Sequence, residues 1–219
     1  MSLRALAPDL WVADHPLVVG GLHLGARATL VRGADGGLTV IAPVPFAAPA
    51  EVDGLGPVRA LVAPNRMHWM YLGAAQQRWP EARVYAAPGV SAKAKGLRID
   101  AELGGETPDG LVAIPVHGMP AMGETVFYHP PSRSLIVTDL AFNLRGDKPW
   151  FTRTFLRLNN AWDRFGPSRI FQTMVKDRAA LRGSLDAMLA HPFERVVVTH
   201  GDVLDADAVD VFRAAYAWV

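Results

Sequence analysis

Three polar residues of this sequence stand at or just beyond the ends of apolar runs that read as buried strands, and their side chains are of types that do chemistry. His68 follows the run Val58 to Ala63 across Pro64-Asn65-Arg66-Met67, Asp139 follows Ser134 to Thr138, and His200 follows Arg195 to Thr199; a further imidazole, His117, follows Leu111 to Val116. Side chains at such positions can fix loops. Asp139 would then cap the helical stretch after it, His200 would donate a hydrogen bond to a neighbouring carbonyl and hold the turn at Gly201, and Asp202 would cap the last helix. Imidazoles and carboxylates can also converge in threes on a divalent ion, which lowers the pKa of a bound water and polarises a substrate oxygen. His68 lies after a Pro-Asn pair at the end of a buried strand, a good position for a pocket, while His15, His23, His129 and His191 fall in turn or flanking contexts where exposure is expected.

Other chemistries are excluded by what the chain lacks. With no cysteine there is no disulfide framework, thiolate metal site or cysteine nucleophile. There is no GxSxG elbow and no P-loop, and Gly20 to Gly25, GGLHLG, leads into another strand instead of opening a helix. A net charge of +1 with interleaved signs gives no footprint for nucleic acid, and no Lys/Arg cluster suggests a membrane surface. The segment Met1 to Pro16 has no long apolar stretch of a secretory leader and no run spans a bilayer, so a cytoplasmic location is expected.

The elements that must position the polar residues are readable from patterning. Strands are predicted at Leu10 to Ala13, Ala28 to Arg32 and Leu38 to Ala42, the last two joined by a hairpin at Asp35-Gly36-Gly37. Val58 to Ala63 reads as a strand buried on both faces. Met67, Met70, Tyr71, Ala74 and Ala75 then fall at helical spacing, and Arg83 to Ala86 completes a βαβ unit with a parallel strand pair. Leu111 to Val116, Thr125 to Tyr128 and Ser134 to Thr138 follow as strands, with an antiparallel turn at His129 to Arg133. Helices are predicted over Trp150 to Trp162, Lys176 to Ala190 and from about Asp205, and a strand over Arg195 to Thr199. The first of these helices carries Trp, Phe and Leu around its circumference and is expected to be buried as extra core or in a dimer contact.

Three blocks of the sequence resemble the metallo-β-lactamase-fold superfamily. IPVHGMPAMGETVFYHPPSRSLIVTDLAF is similar to the second half of such hydrolases, where a Pro-Gly-His loop, a strand ending in Phe-Tyr, a hairpin and a strand ending in Thr-Gly-Asp follow in order. LRGSLDAMLAHPFERVVVTHGD resembles the C-terminal helix, strand and His-Gly loop, and VRALVAPNRMHWMYLG the strand that delivers HxHxDH. RATLVRGADGGLTVIAPVP, WPEARVYAAPGV and TDLAFN look like an uncharacterised branch known as a domain of unknown function. The resemblance implies one domain over residues 1–219, built as a four-layer αββα sandwich with two mixed β-sheets flanked by helices.

The resemblance also implies a depleted ligand set. Asp139 matches the bridging carboxylate and His200 the final imidazole. The loop histidine falls at Met119 or Pro120, with His117 nearby, and Asn65, Met67, Trp69 and Met70 stand where His, His, Asp and His would be. His68 is displaced by one position. The expectation is therefore loss of the dinuclear site, no cofactor, well under one equivalent of metal in the purified protein, and a non-catalytic domain that binds a small molecule or a protein partner, possible as a homodimer. Asp139 is expected to accept hydrogen bonds from His200, His68 or backbone amides. The alternative is one divalent ion (zinc, iron or manganese) on His68, Asp139 and His200, with His117 as a further ligand, in a hydrolase of an ester, lactone, thioester or phosphoester.

Overall fold

A computed structural model describes residues 3–219. An antiparallel ribbon of β1 (Arg4–Ala7) and β2 (Leu10–His15) leads into a small separate hairpin, β3 (Val18–Val19) and β4 (Leu22–His23), and then into β5 (Ala26–Arg32) and β6 (Leu38–Ile41). Helix α1 (Pro49–Leu55) precedes β7 (Val58–Ala63), α2 (Leu72–Arg78) precedes β8 (Arg83–Ala86), and α3 (Val90–Lys93) precedes β9 (Ala101–Glu102). The second half holds β10 (Val112–Pro115), β11 (Thr125–His129), β12 (Ser134–Val137), helices α4 (Trp150–Leu158), α5 (Arg169–Thr173) and α6 (Arg178–Leu189), then β13 (Arg195–Val198) and α7 (Ala208–Ala215).

Seven strands form one mixed sheet in the order β1-β2-β5-β6-β7-β8-β9, antiparallel as far as β6 and parallel beyond it. The second sheet, β10-β11-β12-β13, is also mixed, its last pair being parallel. The two-residue period of a strand separates the layers. Phe127, Ile136 and Val197 of the second sheet join the core that contains Leu30, Val40 and Val62 of the first. Their neighbours Val126, Leu135, Val196 and Val198 face the other way and pack with Leu181, Leu185 and Met188 of α6 and Phe212 of α7. On the first sheet, Val52 of α1 and Leu72 and Ala75 of α2 cover the core. Two mixed sheets flanked by helices is the architecture the sequence implied. Where β5 meets β6, Gly36 at φ +79° makes the turn, and the Asp35 carboxylate accepts from the Gly37 amide at 2.8 Å.

Several local expectations are corrected. The helical spacing from Met67 does not form helix: α2 starts at Leu72, because the Asn65 side chain ties down the amides of Met67 and His68 in a turn, leaving Met67 and Met70 exposed. The aromatic helix α4 ends at Leu158 and is not extra core within the chain; Trp150, Phe151 and Leu158 face outward, while Thr152 and Leu156 are buried and Phe155 packs partly against Leu144 and Ala161. His129 is fully buried instead of exposed, its Nδ1 2.7 Å from the Ser132 hydroxyl within the turn it closes. Asp139 caps no helix, α4 beginning only after Pro149, and α7 starts at Ala208, beyond reach of capping by Asp202.

Candidate metal centre

The loops at one edge of the two sheets meet through named hydrogen bonds. From β7 the chain passes Pro64 to Asn65, whose side chain is completely buried. Its Oδ1 accepts from the amides of Met67 and His68, both at 2.8 Å, and this turn presents the His68 ring. Its Nδ2 donates to Asp139 Oδ2 at 2.8 Å and to Thr138 Oγ1 at 3.0 Å. Arg66 fastens the same loop to its neighbours by donating to the carbonyls of Pro88 and Pro120. From β13, His200 and Gly201 run beside Asn143: the Asn143 amide donates to the His200 carbonyl at 3.0 Å, and the Asp202 amide to the Asn143 carbonyl at 2.8 Å. A Cβ on Gly201 would sit 2.1 Å from that carbonyl oxygen, so only glycine permits the approach.

Asp139 is set by Glu124, a buried carboxylate at the start of β11. Glu124 Oε1 accepts from the Thr138 amide at 2.8 Å, and Oε2 from the amides of Asp139 and Leu140 at 3.0 and 2.9 Å. Tyr216, at the end of α7, donates its hydroxyl to the Leu140 carbonyl. Burial, then the nearby Asp139 charge, pushes the Glu124 carboxyl up to about 7, against the amide donors that favour its charged form. Burial also works against the charge on Asp139, but the facing imidazoles of His68 and His200 overcome it and hold that carboxyl well below the usual carboxylate range. Burial disfavours protonated His68, yet Asp139 and, behind it, Glu124 raise its pKa.

Three of the four candidate ligands come together. His68 Nε2 lies 3.1 Å from Asp139 Oδ2, His200 Nε2 lies 3.5 Å from Asp139 Oδ1, and the two Nε2 atoms are 3.3 Å apart. His117 stands outside the group. Its side chain is exposed and its backbone amide donates to Ser184 of α6, so β10 ends in a loop anchored to the helix layer instead of turning its imidazole to the cluster. Two residues outside the candidate ligand set, Asn65 and Glu124, organise the centre. Asn65 occupies a place where a histidine was expected, but a Pro-Asn pair before a loop is itself the signature of a side-chain-fixed turn; Glu124 gave no such signal.

The donor set can be tested against a divalent ion by its chemistry. His200 Nδ1 is 2.6 Å from the Gly25 carbonyl, which can only accept, so Nδ1 carries a proton and, in the neutral ring, Nε2 presents a lone pair. That lone pair faces a carboxylate oxygen and a second imidazole nitrogen. Three acceptor atoms in this arrangement call for a proton or a cation between them. Ligands at 2.0 to 2.2 Å from a tetrahedral ion are about 3.3 to 3.6 Å apart, close to the separations found. The His200–Gly25 and Asp139–Asn65 bonds are those that orient metal ligands from behind. The residues present fit one ion.

A cavity of about 290 Å³ opens over the cluster, lined by Asp139, His68 and His200 and otherwise by Leu17, Val19, Leu24, Pro43, Val44, Met67, Met70 and Tyr71 among others, with no lysine or arginine among its described lining residues. The hairpin β3–β4 forms one wall.

No family model and no curated protein matches the sequence. Solved structures do match across nearly the whole chain. A metallo-β-lactamase from Pontibacter korlensis superposes with a TM-score of 0.67 at 14% identity, covering 99% of this chain and 98% of that one. A metallo-β-lactamase from Pseudomonas aeruginosa in its mono-zinc form gives 0.60 at 13% identity, covering 99% and 95%. The flavodiiron protein from Giardia intestinalis gives 0.67 at 14% identity, this chain spanning 59% of its length. At these identities the likeness speaks for architecture, and with the sheet order above it establishes that the chain has the metallo-β-lactamase fold.

Proposed function

We propose that this protein is a mononuclear metal-dependent hydrolase that acts on small, neutral acyl compounds such as an ester, lactone or thioester. The observation that carries the reading is the convergence of His68 Nε2, His200 Nε2 and an Asp139 oxygen within 4.8 Å of one another, with His200 Nδ1 donating away from the cluster to the Gly25 carbonyl. A divalent ion bound there would acidify a water and polarise a carbonyl oxygen. The chain's own residues supply the rest. Asn65 and Glu124 fix the positions of His68 and Asp139, and Gly25 fixes the His200 tautomer. The apolar wall from Leu17 to Tyr71 receives the apolar part of a substrate and keeps bulk water away. Among the ester-like classes, the absence of a lysine or arginine from that wall argues against phosphoesters, whose charge asks for a cationic partner.

A second reading has one observation in its favour. Without an ion the cluster still closes on itself, Asp139 accepting from Asn65 and His68, so the same fold could serve as a non-catalytic binding domain. Turnover separates the two. Chelator-treated protein, given zinc, iron(II) or manganese(II), should hydrolyse acyl esters, lactones or thioesters but not matched phosphoesters, and Asp139→Ala and His200→Ala should abolish that activity. Ion binding without hydrolysis of any member of such a panel would favour the binding domain.

A further inference from the structure

Helix α4 presents to solvent the residues that helices normally hide. Trp150 is 71% and Leu158 67% exposed, with Phe151 beside them, and only Thr152 and Leu156 are buried. At 100° per residue, Trp150, Thr154, Leu158 and Phe151 occupy adjacent positions on the outer face, while Arg153 and Arg157 lie together along one flank. The apolar face extends beyond the helix. The Phe151 ring comes within 3.9 Å of where a Cβ on Gly21 would stand, in the turn of the β3–β4 hairpin, whose Val18 and Val19 are also exposed. Ile170, at the start of α5, is exposed as well.

Charge selects the occupant of this surface. From Arg145 to Ile170 the chain carries six cations (Arg145, Lys148, Arg153, Arg157, Arg164 and Arg169) against Asp147 and Asp163, an excess of four in a protein whose net charge is +1. The rest of the chain is therefore net negative by three. A second copy docking face to face would oppose two patches of the same sign. A surface of anionic lipid headgroups meets both halves of the pattern: Trp, Phe and Leu enter the headgroup–acyl boundary, and arginines at the flank keep their guanidinium groups among the phosphates and carboxylates. We propose that α4 and the β3–β4 hairpin form a docking face for anionic membrane surfaces. The hairpin that would touch the lipid is also the wall of the cavity above His68, Asp139 and His200.

The test is co-sedimentation of the full chain with vesicles of phosphatidylcholine alone and of phosphatidylcholine mixed with phosphatidylserine, at low and at raised salt. Binding to the mixed vesicles is expected, weakening with salt and absent from phosphatidylcholine alone. Replacing Arg153 and Arg157 together by alanine should lower the partition coefficient roughly thirty-fold, from about five-fold per cation. Trp150→Ser with Leu158→Ser should abolish binding, and unchanged melting of both variants would show that folding is intact. The proposal is overturned if mixed vesicles do not bind the wild type at low salt. It is equally overturned if the serine variant binds as well as the wild type, or if the patch proves to hold a salt-resistant dimer that the serine variant dissociates.

Discussion

At the scale of single residues, the centre depends on side chains that touch no substrate. Asn65 makes four useful bonds, two to the amides that shape the His68 turn and two to Thr138 and Asp139. Asn65→Ala should lower stability by about 1 to 3 kcal/mol, because it leaves buried partners unsatisfied, and should weaken metal binding by roughly 10- to 100-fold, as loss of an orienting partner does. Urea unfolding and metal titration of one variant check both. Away from the centre, burial lowers the pKa of His129 from 6.5. The unfolded chain then takes up a proton below about pH 6.5 that the folded one refuses, so the contribution is fully present above that pH and is lost as pH falls toward the folded value. Unfolding midpoints above and below that pH should fall more steeply with acid in the wild type than in His129→Asn. The sequence displayed His68, Asp139 and His200 because each follows an apolar run, whereas Glu124 was illegible: a carboxylate at a strand start carries no mark of the three amides that will surround it.

Among the elements, those that come from local pattern were legible and those that come from tertiary pairing were not. The runs Val58–Ala63 and Arg83–Ala86 form strands with the bounds their apolar and β-branched residues suggest, and they pair in parallel as a βαβ unit requires. β1 and β9 escaped notice because each is an edge strand, short and half exposed, formed by its neighbour more than by its own composition. The spacing of Met67 and Met70 predicts a helix one turn longer than α2, but the Asn65 side chain holds the amides of Met67 and His68 in a turn. The pairing of Asn143 with Gly201 is the element-level contact that sets His200. Gly201→Ala places a Cβ 2.1 Å from the Asn143 carbonyl oxygen at a φ of +104°. It is expected to cost about 1 to 3 kcal/mol in strain and to reduce metal binding as well, measured by thermal melting and metal titration.

For the molecule as a whole, overall neutrality concealed a division of charge, since a basic segment around α4 is balanced by acidic residues elsewhere. A count by segment would have revealed it, but the outward turn of Trp150 and Leu158 needed the fold, because an aromatic helix reads as core when its partners are unknown. The fold itself was legible because three sequence blocks keep their order and spacing. The same comparison leaves open whether a one-residue displacement of His68 can be absorbed, and the Asn65 turn is what brings its ring beside Asp139. A bound ion should couple to global stability, so chelator should lower the melting temperature of the wild type and leave Asp139→Ala unmoved. The most direct measurement is elemental analysis of protein purified without affinity-tag metal, exposed to zinc, iron(II) and manganese(II) and freed of excess ion. One equivalent per chain in the wild type, and almost none in Asp139→Ala or His200→Ala, is the expected result. Well under one equivalent in the wild type, equal to that in the two variants, would contradict the assignment of His68, Asp139 and His200 as a metal centre.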